Sequence, residues 1–156
     1  MIEKKKVCSF FVSEYHLLTI LLPYINEKIV ENKKVELMIE KDMLEKAKLY
    51  FKNVSEFENY KYLKLGWKKS KVEDAALKVA NVVIVIGREG YVEKTNEILD
   101  KNNKVEEIIN CYNIETLVNL SEIIERHDFI LKTEGKSEIT KCSHNEQKRK
   151  TIQTQI

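Results

Sequence analysis

Two apolar patterns alternate along this chain: short runs of β-branched and aromatic residues, and longer stretches where apolar side chains recur every three or four positions. Val7 to Val12 (VCSFFV) follows a charged leader and predicts a strand buried on both faces. Leu17, Leu18, Leu21, Leu22, Ile25 and Ile29 then predict a helix over Glu14 to Asn32, with Ser13 as N-cap. Pro23 falls inside it and predicts a kink. Val35 to Ile39 reads as a second strand, and Asp42 caps a predicted helix from Met43 to about Asn53. Tyr60 to Trp67 alternates enough for a third strand. A short helix is predicted over Val72 to Ala80, followed by the uninterrupted run Val82 to Ile86, which reads as a central buried strand. The Gly87-Arg88-Glu89-Gly90 turn leads into a helix from about Tyr91 to Leu99. Val105 to Cys111 predicts a fifth strand, and a last helix is predicted from Ile114 to about Arg126, extending towards Leu131.

Strict alternation of strand and helix implies an α/β fold with a mostly parallel sheet covered by helices. Five strands with right-handed crossovers predict a three-layer sandwich, Rossmann-like or flavodoxin-like. Residues 1–135 read as one domain. Beyond Gly135 the apolar periodicity stops, so 136–156 reads as a polar, flexible tail whose removal after about Glu138 should cost no more than ~1 kcal/mol.

Charge refines this picture. The chain of 156 residues carries a net charge of +2, too little for a global field that would gather nucleic acid. The tail from Lys136 onward holds +3, which leaves −1 on the rest. Three cysteines, Cys8, Cys111 and Cys142, do not suit a secreted disulfide framework. The N-terminal apolar stretch is broken by Ser13 and Glu14, and no run approaches the ~18 apolar residues of a membrane span. A cytoplasmic location, without membrane partners, is expected.

In open parallel sheets, ligands bind beyond the carboxyl ends of the strands. That rule selects Ser13, Glu14 and His16 after the first strand, Glu40 after the second and Trp67 after the third. It also selects Gly87, Arg88 and Gly90 after the fourth, and Cys111 at the end of the fifth. The glycine turn enters a helix N-terminus, where free N–H groups favour anions, and Arg88 could pair with one. The same residues also suit an ordinary strand-to-helix turn. His16 can do acid–base work, but Glu14, two positions away, does not share its helix face. Trp67 can stack on a ligand or fill the core. Cys111 is either a reactive thiol or a packed one. His127 near a helix end suits the helix dipole. Cys142 and His144 are too few for a structural metal site, so no metal and no cofactor are expected. Neither G-x-G-x-x-G nor G-x-x-x-x-G-K-[ST] occurs.

The opening stretch also carries a recognisable layout: Phe10-Phe11 ending a strand, Ser13-Glu14 starting a helix, Pro23-Tyr24 within it, then a turn into Val35 to Ile39. In this it resembles the MEDS family of sensory domains, over the first quarter to third of the chain. The resemblance implies a RecA/KaiC-related α/β domain without ATPase motifs, acting by sensing or interaction. The expected function is a non-catalytic sensory or regulatory module. It would bind a small molecule or a regulatory protein at the strand-end crevice, and a homodimer is possible. The alternative is a small enzyme acting on a phosphorylated or nucleotide substrate, with His16 or Glu40 as acid or base. Nucleic-acid binding through the basic tail ranks below both.

Overall fold

The computed structural model describes residues 3–40 and 71–140. The expected helix at Met43 to Asn53, the expected strand Tyr60 to Trp67 and the tail beyond 140 lie outside the described residues.

Strand β1 spans Lys5–Phe11, β2 Val35–Ile39, β3 Val82–Ile86, β4 Glu107–Asn113, β5 Phe129–Lys132 and β6 Gly135–Glu138. They form one sheet in the order β2-β3-β4-β1-β5-β6. Every pairing is parallel except β5 with β6. The five residues of β3 are all buried between β2 and β4, as a continuous β-branched run requires.

Side chains alternate between the two sheet faces, and two core clusters result. Val7, Phe11, Ile84, Ile109 and Cys111 join one cluster with Leu17, Leu21 and Ile25 of helix α1, Glu14–Val30. Cys8, Phe10, Val83, Ile108 and Tyr112 join the other. It also holds Val92 and Leu99 of α2, Glu89–Leu99, and Ile123 and Ile124 of α3, Leu120–Glu125. Right-handed crossovers explain the division. The β1-to-β2 connection runs one way along the sheet, while β3-to-β4 and β4-to-β5 run the other, so their helices cover opposite faces.

Helix α1 begins and ends on local chemistry. The Ser13 hydroxyl accepts the His16 N–H at 3.1 Å. At the other end Asn32 takes a left-handed φ of 61°, and the Lys33 N–H bonds the Lys28 carbonyl at 3.0 Å. This is a Schellman stop with asparagine in the position glycine usually fills.

Three expectations are corrected. Val72–Leu77 is a 3-10 helix, since only Ala75 of it packs into the core while Leu77 faces solvent. The predicted helix from Ile114 towards Leu131 is instead a 3-10 turn, Ile114–Thr116, the short α3, and then strand β5. The run Phe129–Lys132 pairs with β1, which would otherwise show an open edge. Finally, the polar stretch after Gly135 opens as strand β6, and Ile139 just beyond it is 5% exposed. The sheet therefore has six strands among the described residues, one antiparallel, in place of five parallel ones.

Candidate functional site

β1 and β4 are neighbours whose outgoing chains leave towards opposite faces, so the topological switch point lies between their carboxyl ends. The polar groups there act as caps. Ser13 caps α1, and the Asn113 side chain accepts the Glu115 N–H at 3.0 Å. His16 Nδ1 accepts the N–H of Val12 at 3.0 Å, folding the ring back onto its own chain. Glu14 sits in the first turn of α1. Around these groups Val12 and Tyr15 are exposed, Tyr15 by 62%.

The adjacent turn after β3 is closed by the protein's own carboxylates. Glu40 Oε1 accepts both the backbone N–H and the Nε–H of Arg88, at 3.0 and 3.3 Å. Glu89, in the first turn of α2, accepts the N–H of Val118 at 2.9 Å. Gly87 is required by packing: a Cβ there would lie 2.6 Å from the Tyr91 ring and 3.0 Å from Glu40 Cβ. Gly90 meets nothing within 4 Å and lies within the helix. The turn thus gathers Glu40, Gly87 and Arg88, but it presents a neutralised arginine. Cys111 lies inside the core, and burial pushes its thiol well above the usual range, with the nearby Cys8 adding to the rise. Trp67 lies outside the described residues.

A second locus was not anticipated. Between α2 and the turn that follows α3, over β4 and β1, lies a groove of about 240 Å³ with Asn96, Asn110, Tyr112 and His127 on its floor. All four are buried. Asn96 Nδ2 donates to the Val92 carbonyl at 2.8 Å and to Asn110 Oδ1 at 2.7 Å. Asn110 Nδ2 donates back to Asn96 Oδ1 at 3.0 Å and lies 2.9 Å from His127 Nε2. The Val92 carbonyl can only accept, which orients both amides and makes His127 Nε2 the acceptor. His127 Nδ1 then donates to the Ile123 carbonyl at 2.5 Å. This bonding describes a neutral imidazole closing the last turn of α3, where a cation complementing the dipole was expected. The sequence did hold one signal: Asn110 interrupts a strand buried on both faces, and such a residue needs a partner.

At the amino edge of β4, Glu107 is buried on the α1 face. It accepts a hydrogen bond from the Tyr24 hydroxyl and pairs with Lys136 at 2.8 Å and Lys28 at 3.3 Å. Burial acts to raise its carboxyl pKa. The hydrogen bonds from Lys136 and Tyr24, with the charges of Lys136 and Lys28, outweigh that and lower it below the usual value. Burial, and then the bond to Glu107, push the Tyr24 phenol upward.

Fold and site together define an α/β protein with a mostly parallel sheet and no helix, among the described residues, long and apolar enough to cross a membrane. Among those residues no cluster of histidine, cysteine and carboxylate side chains could hold a metal ion. No family model matches the chain, and no curated protein matches it.

Proposed function

We propose that this chain is a non-catalytic sensory or regulatory module of the MEDS-like kind, built as a Rossmann-like or flavodoxin-like sandwich. It binds a small ligand or a regulatory protein at the carboxyl edge of its sheet. One observation carries the reading: among the described residues, the groups at that edge suited to acid–base or phosphate chemistry bond to the protein itself or lie buried in it. Glu40 holds Arg88, Glu89 holds the Val118 N–H, His16 holds the Val12 N–H, and Cys111 is enclosed. Apolar surface takes their place, with Val118 85% exposed and Tyr15 and Val12 exposed beside the switch point. Such an edge favours contact over turnover.

A thermal-shift screen of the purified chain against nucleotides and metabolites tests this. A ligand at 100 times its Kd stabilises the native state by about 2.7 kcal/mol. The shift is expected to shrink in the double variant Tyr15→Ser, Val118→Asp, whose own melting should stay close to wild type because both side chains are exposed. A phosphorylated ligand whose binding or turnover collapses in Arg88→Ala would replace this reading with the enzyme one.

A further inference from the structure

The groove between α2 and the turn after α3 has an unequal supply of donors and acceptors. Each of the four amide N–H bonds of Asn96 and Asn110 points at a protein acceptor. What the two amides still offer is lone pairs, because an amide oxygen can accept twice. Tyr112 adds one more polar group. It is 3% exposed, stacks on Phe10 at 5.9 Å and meets the His127 ring edge-on at 6.4 Å. Its hydroxyl bonds no described residue. A buried hydroxyl without a protein partner at the wall of a cavity is an uncommon arrangement.

The mouth is unbalanced in the same direction. Lys6 pairs with Asp100 at 2.9 Å and Arg126 with Glu93 at 3.1 Å. Glu97 also lines the groove and pairs with no described residue, so the lining carries one negative charge in excess. An anion would meet repulsion at the mouth and a floor without free amide donors. A cation rich in N–H donors would meet the reverse. The volume is below the ~300–1,000 Å³ of pockets for drug-sized ligands, which limits the occupant to a few heavy atoms beyond its charged group.

We propose that this groove binds a small ammonium-bearing metabolite, with the Tyr112 hydroxyl on its floor and the Glu97 carboxylate at its mouth as the groups that hold it. The site is separate from the carboxyl edge, so its failure leaves the reading of that edge standing.

The test is titration of the full chain with ethanolamine and with putrescine, followed by the ¹⁵N side-chain resonances of Asn96 and Asn110. Succinate and inorganic phosphate serve as anionic controls. Saturable shifts of both amides are expected with an ammonium probe and not with the anions. Tyr112→Phe should weaken binding about two- to tenfold, the equivalent of one hydrogen bond. Its melting temperature without ligand should equal or exceed that of wild type, since no partner loses a bond. Glu97→Gln should weaken binding by a similar factor, and added salt should weaken binding to wild type more than to this variant. The proposal is overturned if neither ammonium probe saturates by about 10 mM, a limit of weak small-ligand affinity. Equal affinity in either variant, or tighter binding of an anion at these resonances, also overturns it.

Discussion

Glu107 shows how one buried charge links distant parts of the chain: Tyr24 and Lys28 of α1, Lys136 of β6 and the start of β4. Its pKa is lowered on folding, so its contribution to stability is present above the unfolded value of about 4.3 and is lost as pH falls through the folded value. Urea midpoints measured from pH 7 down to pH 3 should fall across that window in wild type and fall less in Glu107→Gln. At pH 7 the variant should lose about 3 kcal/mol, the low end for breaking a buried pair, because both lysines keep some contact with water. Lys28 has the complementary dependence. Burial acts to lower its pKa, but the charge and hydrogen bond of Glu107 raise it overall. Its contribution is complete below the unfolded value and is lost as pH rises through the folded one. In the groove, Asn110→Ala would strand His127 Nε2 and the Asn96 amide together. A loss of about 2–4 kcal/mol, seen as a lower urea midpoint, is expected from groups left buried without partners.

At the scale of elements, the β5–β6 hairpin carries the sheet past Gly135. Lys132 and Gly135 close it around Thr133 and Glu134, with Gly135 at a φ of 119° that an L side chain rarely adopts. Ile139, next along, packs into the cluster beside α2 and α3. Ending the chain after Glu138 would therefore remove a core side chain. The expected cost is about 2–4 kcal/mol, in the range of a large-to-small core substitution, and exceeds the ~1 kcal/mol that a loose tail would allow. Ile139→Ala in the full chain should reproduce most of it, as melting curves of the two variants would show. Apolar periodicity could not reveal β6, because its four residues, Gly-Lys-Ser-Glu, include no apolar side chain and all are exposed. The predicted helix towards Leu131 failed for a related reason. Phe129, Ile130 and Leu131 form an apolar run too short for periodicity to separate strand from helix, and the free edge of β1 made the choice.

Across the whole molecule, hydrolysis of ATP or GTP is not expected, since the sequence holds no G-x-x-x-x-G-K-[ST] motif to supply a phosphate cradle followed by lysine and a hydroxyl. A phosphate-release assay on the purified chain checks this; turnover that disappears in Arg88→Ala would contradict it. The alternation of strands and helices was legible because period 2 and period 3.6 are local properties, readable wherever a segment buries one face or two. By itself the sequence therefore determined the α/β class, the helix start at Ser13, and the burial of Val82 to Ile86 as a strand with a neighbour on each side, although that strand is second from the end of the sheet and not central. Only the tertiary structure decided strand order, since the β1-to-β2 connection crosses two strands that had not yet been made. It also decided which polar residues remain available. Arg88 and Glu40 are 48 positions apart and cancel each other, whereas Asn96 of α2, Asn110 of β4 and His127 of the turn after α3 come together. Hydrogen bonds and charges act over a few ångströms of space without regard to separation along the chain, so a site made from them forms only when the sheet and its helices are in place.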